Sequence, residues 1–256
     1  MRIQLIRNAT LWIEYAGHTI LVDPMFSEAG LNPPIMNSSN DRRNPLVPLP
    51  VDLSLLSDPD LVLVSHLHLD HWDPAAAKAI NKSAAVFCQP GDEKTLEAAG
   101  FSGVQPVEAS AAYQKIKIHR TSGQHGTGEI GVMMGHVSGY VLQAEGEPDL
   151  YLAGDTIWCD EVKEALGRFR PEVTVVHAGG ARFITGDPII MNEQDVLQLA
   201  RYASYTRIVA VHMEAINHCL VTREDLGMLM SSQGLGSQLH IPLDGEWMDF
   251  REAKKA

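Results

Sequence analysis

The residues best equipped for chemistry stand in one short run, Ser65-His66-Leu67-His68-Leu69-Asp70-His71. In an extended chain residues 66, 68 and 70 point to one side while Leu67 and Leu69 face the other. His71 arrives as the chain turns into a helix whose start is marked by Asp73 as N-cap and Pro74 at the first helical position. Imidazole and carboxylate donors gathered at a strand end suit zinc, and also manganese or iron. No cysteine lies nearby to make a structural thiolate site. A chance surface cluster of histidines would not follow a buried strand and alternate with leucine as this one does.

The elements that must position this run are legible on either side of it. DLVLVS (60–65) is a continuous apolar strand, the pattern of a sheet buried on both faces. Before it, IQLIR, TLWIEY and TILVD predict three strands, with Asn8 in the first turn. Residues 27–58 break the pattern with prolines, Asn, Ser and the pair Arg42–Arg43, which predicts a long loop of little regular structure. After the motif come a helix through AAAKAI, the strand AAVFC (84–88) and the helix DEKTLEAAG. The second half repeats this grammar. KIKIHRT, VSGYVLQ, DLYLAG, EVTVVH and RIVAVH predict strands, and DEVKEALGRF predicts a helix. NEQDVLQLARYA opens on Asn192 as N-cap, and TREDLGMLMSS on a box-like Thr222/Asp225 start. Strands followed by strand–helix alternation in each half predict an α/β chain of two packed sheets with helices outside, in a single domain over 1–256.

Composition narrows the class without naming a reaction. A 256-residue chain with 45% hydrophobic and 20% charged residues is that of an ordinary globular protein. No apolar run is long enough for a bilayer and the start has no signal-peptide pattern. Cys88, Cys159 and Cys219 are scattered and unpaired in pattern, so reduced thiols in the cytoplasm are expected. A net charge of −12 argues against nucleic acid or an anionic membrane as partners. A small-molecule substrate is expected, and a homo-oligomer is allowed.

Beyond the motif, several residues compete for ligand roles. His119, His125 and His136 compete for a third-histidine position. The glycines of TSGQHGTG favour His125, because they let the backbone bring a ring close to a metal. His212 ends the strand RIVAVH and is favoured over His218. Asp155, Asp23 and His177 each end a strand, and each has a quieter alternative as a cap or turn residue.

The motif HxHxDH, with ILVDP, TSGQHGTG, LYLAGDT and RIVAVH following in order, resembles the metallo-β-lactamase fold hydrolases over nearly the whole chain. The opening NATLWIEY is similar to that of the L-ascorbate-6-phosphate lactonase-like branch, with Asn8 where that branch often has Gly-His. The resemblance implies an αββα sandwich of two mixed sheets and two divalent metal ions, Zn²⁺ first, with Mn²⁺ or Fe²⁺ as alternatives. It implies His66, His68 and His125 on one ion, Asp70, His71 and His212 on the other, Asp155 bridging both, and Asp23 supporting the ligands by hydrogen bonding. Asp70 and Asp155 would be the catalytic carboxylates. The reaction so implied is attack by a metal-bridged hydroxide on a lactone-like or other carbonyl carbon, with a phosphodiesterase or a non-catalytic metal-binding protein as alternatives. No GxSxG element supports a serine hydrolase. Arg42 and Arg43 are candidate clamps for an anionic substrate. His177, Arg182 and His218 are further candidates for substrate contact.

Overall fold

Leu61 and Leu63 pack into one hydrophobic cluster and Val62 and Val64 into another, because successive strand residues point to opposite faces. Val209 and Val211 separate from Ile208 and Ala210 in the same way. A strand apolar on both faces needs cover on both, and a layered sandwich provides it. The computed structural model, which describes residues 1–250, has that form: two seven-stranded sheets packed together, with helices on their outer faces.

In the first sheet β1 (Arg2–Arg7), β2 (Thr10–Tyr15), β3 (His18–Val22), β4 (Leu61–Leu63), β5 (Ala85–Cys88) and β6 (Gly103–Pro106) lie side by side in chain order. The second holds β7 (Ser110–Tyr113), β8 (Ile116–Ser122), β9 (Ser138–Gln143), β10 (Leu150–Leu152), β11 (Val173–His177), β12 (Arg207–Val211) and β13 (Leu239–His240). β14 (Trp247–Asp249) returns to the first sheet, antiparallel to β1. β3 and β4 run parallel, as do β10, β11 and β12. β8 shares the direction of β10 because β9 is antiparallel to both. The carboxyl ends of these six strands deliver the site residues to one edge of the sandwich.

α1 (Pro74–Ala79) and α2 (Glu93–Ala98) cover the first sheet through Ala76 and Leu96. α3 (Gly128–Met134) buries no side chain. α4 (Asp160–Phe169), α5 (Glu193–Tyr202) and α6 (Arg223–Ser232) cover the second sheet through Val162, Leu166, Val196, Leu199, Leu226 and Met230. Asn192 and Thr222 form capping boxes at the starts of α5 and α6. Among the described residues no helix is long and apolar enough to cross a membrane.

Four strands (β6, β7, β13, β14) and α3 have no counterpart in the sequence reading. β6 and β7 alternate between half-buried and exposed positions and are short edge segments with weak patterning. α3 begins with glycine, its N-cap Thr127 makes no side-chain cap bond, and it presents no buried face, so its local signals are weak.

The loop 27–58 is irregular as expected, apart from a short 3₁₀ turn at Leu53–Leu56 and an antiparallel bridge between Asn32 and Asn44, but it is firmly tied down. The wholly buried Arg7 donates to the carbonyls of Met25, Ser27 and Val47. Asn217 exchanges hydrogen bonds with the backbones of Ile35 and Asn40 and with the Asn44 side chain. Asp73 caps α1 through Ala76 N at 2.7 Å and also receives Ser27 N at 2.7 Å. Asp73→Ala should therefore cost more than an ordinary cap, roughly 2–4 kcal/mol, because it also strands a buried backbone N–H. Denaturant unfolding measures this, and a loss below about 1 kcal/mol would show that the Ser27 contact contributes nothing.

Candidate metal centre

The site is assembled from strand ends. Asp23 follows β3, Ser65 and the motif follow β4, and His125 lies beyond β8. Asp155 follows β10, His177 ends β11 and His212 follows β12. Gly154 makes the turn into Asp155 with φ +72°, and any Cβ there would sit 2.7 Å from the Ser138 carbonyl oxygen. Asp23 (φ +43°) and His212 (φ +57°) are themselves left-handed, a costly conformation that the surrounding hydrogen bonds hold in place. Asp23 N donates to Leu63 O, and His212 N donates to Asn8 O.

Two donor groups result, each with ligand atoms within 4.8 Å of one another: His66, His68 and His125, and His71, Asp155, His177 and His212. Asp155 Oδ2 faces both, at 3.4 Å from His125 Nε2 and 3.2 Å from His71 Nε2. Asp70 Oδ2 lies 3.1 Å from His212 Nε2 and 3.8 Å from His71 Nε2. All seven residues expected as ligands thus converge on one buried volume.

The rings are oriented by what their other nitrogens touch. Ser65 Oγ donates to Asp23 Oδ2 at 2.6 Å, so at 3.0 Å it accepts from His66 Nδ1. His71 Nδ1 meets Asp23 Oδ2 at 2.9 Å, His125 Nδ1 meets Ile189 O at 2.8 Å, and His212 Nδ1 meets Cys219 Sγ at 3.4 Å. In each of these four rings Nδ1–H is committed to the protein and Nε2 is left as the donor atom. His66 Nε2 then faces His68 Nδ1 at 2.9 Å, and His71 Nε2 faces His212 Nε2 at 3.2 Å. Nitrogen lone pairs approach that closely only around a shared cation, a proton or a metal ion. Imidazole and carboxylate donors without a thiolate fit a divalent transition metal at both positions.

The two groups differ in charge. Burial pushes His66, His68 and His125 below the ordinary histidine range, leaving neutral rings ready to ligate. Burial opposes charge on His71 too, but Asp155, Asp70 and Asp23 outweigh it and lift that ring to about 10. His212 is likewise raised against burial, chiefly by Asp155. Asp155 and Asp70 stay well below the carboxylate range despite burial, because His71 and His212 face them.

Two of the expected substrate contacts are engaged elsewhere in the structure. Arg43 does not form an anion clamp: its guanidinium donates to Gly30 O, at 2.7 Å, and to Leu31 O, knitting its own loop. His177 does not face a substrate space. It is buried, and its Nδ1 meets Asp155 Oδ1 at 2.6 Å, orienting that carboxylate. Arg182 is exposed, and its backbone N donates to His218 O. Arg42 also stays exposed, whereas His218 is buried beside Phe183. Ser65 and Cys219 were missed as orienting groups. Ser65 was visible immediately before the motif, but Cys219 comes to His212 only through a loop.

The geometry defines a metal-dependent hydrolase of the metallo-β-lactamase fold. A family model described as a beta-lactamase superfamily domain matches residues 18–213, and the chain belongs to that superfamily. It is 36% identical over 254 residues to the UPF0173 protein YddR of Bacillus subtilis (strain 168), covering 98% of this chain and 100% of that protein. Among solved structures it is similar to an isothiocyanate hydrolase from Delia radicum gut bacteria, with 36% identity, a TM-score of 0.93, and coverage of 98% of this chain and 99% of that one. A "possible metal-dependent hydrolase" from Veillonella parvula DSM 2008 is 32% identical, with a TM-score of 0.94 and coverage of 97% and 98%.

Metal must displace the protons that the second group holds, so loading should release protons. The His71 ring, raised to about 10, is protonated across the neutral range, so metal affinity should rise with pH and fall as pH drops. Zn²⁺ titration of chelator-stripped protein in buffers of different ionisation enthalpy measures this; pH-independent affinity with no proton release would contradict the charge assignment. Asp23→Ala should weaken metal binding by about 10–100-fold through misorientation of His71, and metal analysis after dialysis checks it.

Proposed function

We propose that this chain is a dinuclear hydrolase acting on the electrophilic carbon of a small substrate, with the isothiocyanate carbon first and a lactone-like carbonyl second. The observation that carries the dinuclear reading is Asp155 Oδ2, a single carboxylate oxygen facing His125 of one donor group and His71 of the other. Full-length similarity to a hydrolase of that name supports taking the isothiocyanate first. His66, His68 and His125 would hold one ion and Asp70, His71 and His212 the other, with Asp155 between them.

When bound, divalent ions such as Zn²⁺, Mn²⁺ or Fe²⁺ make water acidic enough to supply hydroxide near neutral pH and polarise the atom under attack. The chain's own residues then orient and move protons. Asp155, 4% exposed and gripped by His177, is fixed in place. Asp70, 14% exposed, is the more open carboxylate and stands at the mouth beside the half-buried His68. Asp70 Oδ2 is turned to His212 and His71, so the other Asp70 oxygen is the atom to accept the proton of the attacking water and return it to the leaving nitrogen. For an isothiocyanate the balance is R–N=C=S plus water giving R–NH₂ plus carbonyl sulfide. Water oxygen bonds to carbon, the C–N bond breaks, and both water protons end on nitrogen. A complete set of oriented donors favours catalysis over passive metal storage.

The test is turnover by Zn²⁺- or Mn²⁺-loaded protein of an isothiocyanate, a γ-lactone and bis-p-nitrophenyl phosphate. Isothiocyanate loss with stoichiometric amine formation is expected, and a clear preference for the phosphodiester would overturn the carbon-centre reading. His68→Ala should lower turnover by more than about 100-fold, since it removes a ligand outright. Retained activity with retained metal would show that His68 is not a ligand.

A further inference from the structure

The turn between β1 and β2 is buried from end to end: Arg7, Ala9 and Thr10 are wholly buried and Asn8 is 1% exposed. Turns ordinarily lie at the surface, where water satisfies their polar groups. In this one the polar groups must look to the protein, and Asn8 finds two partners, both in the centre. Its Nδ2 donates to the main-chain carbonyl of Asp70 at 3.1 Å, and its own carbonyl accepts His212 N at 2.9 Å. The amide has one workable orientation, since turned over it would set Oδ1 against the Asp70 carbonyl, oxygen to oxygen. The helix after the motif offers no substitute donor. The residue four positions beyond Asp70 is Pro74, which has no N–H.

Asn8 is held in place at a cost. Its backbone is left-handed, with φ +58°, and its Oδ1 is buried and accepts from no group among the described residues. Strained backbone and unpaired buried acceptors both destabilise a fold, and they gather where function requires them. What Asn8 supplies in return is position. Asp70 Oδ2 and His212 Nε2 stand 3.1 Å apart, although one residue follows β4 in the first sheet and the other β12 in the second. Asn8 is bonded to both. His66 and His125 are oriented elsewhere, by Ser65 Oγ and Ile189 O.

We infer that Asn8 is a positioning residue for the ion of Asp70, His71 and His212, and that it sets how tightly that ion is held. The inference rests on the dinuclear reading above and gives one of its two ions a support of its own. Asn8 touches neither ion; it acts through the main chains of two ligands. A ligand whose main chain can drift loses its aim, and loss of such outer support typically costs about 10–100-fold in metal affinity.

Two substitutions separate this role from a merely structural one. Glycine is at ease in a left-handed backbone, so Asn8→Gly removes the amide and relieves the strain, whereas Asn8→Ala removes the same amide and keeps the strain. Zn²⁺-loaded full-length wild type and variants are dialysed against rising concentrations of a competing chelator, and zinc per chain is counted. Melting temperatures are taken on the metal-stripped proteins, and Asp70→Ala identifies the release step that belongs to the second ion. That step should weaken by about ten-fold or more in both variants, to the same degree, while the other stays within about two-fold. Asn8→Ala should melt below Asn8→Gly, so that zinc loss follows the amide and not the stability. Retention of both ions by Asn8→Gly overturns the inference, because the side chain then serves only the turn. Equal weakening of both steps, or weakening of the other step alone, overturns it as well. A wild type that holds a single ion overturns the dinuclear reading itself, and this inference with it.

Discussion

The structure depends first on one carboxylate. Asp23 takes Ser65 N at 2.7 Å and Ser65 Oγ on its two oxygens and orients His71 through Nδ1. It thereby fastens the end of β3 to the end of β4 and aims a ligand at the neighbouring sheet. Buried at 1% exposure, it would be costly if any of these donors were missing. Its own left-handed backbone is part of the arrangement: Thr10 Oγ1 holds the Asp23 carbonyl, and the same hydroxyl receives Met25 N. One side chain therefore couples strand pairing, helix approach and ligand geometry.

Around that point the charges are arranged as alternating pairs. Neutral imidazoles make up one half of the centre, and imidazoles facing Asp70 and Asp155 make up the other. The two halves would bind their ions with different competition from protons, and so with different affinity. The site walls are fixed instead by hydrogen bonds that involve no carboxylate, from Asn217 to the loop and from the Arg7 guanidinium to three carbonyls. Access and chemistry are thus governed by separate sets of residues.

The fold, and the histidines and aspartates that it brings together at the centre, were largely legible in the sequence, for a physical reason. Buried strands such as DLVLVS and EVTVVH are continuous apolar runs, and helix starts at Asp73, Asn192 and Thr222 carry side chains that satisfy free N–H groups. HxHxDH is dense enough to stand out without help. What escaped notice lacked such local signals. Short edge strands β6 and β7 bury little, and α3 has no buried face. His177 and Arg43 were misplaced because their contacts depend on which carboxylate or carbonyl the tertiary fold brings near. Position at a strand end or in a loop does not encode that.

The centre draws its donors from residues 66 to 212, and each of its two halves takes ligands from both sheets. No contiguous fragment lacking either sheet contains both donor groups. During synthesis the first histidines emerge long before His212, with only weak, open coordination to offer. The second donor group is complete only when β12 has entered the second sheet and the sandwich has closed. Full metal loading would thereby come late in the life of the chain and would report on topology: a molecule with a misdocked sheet would be left with a broken site.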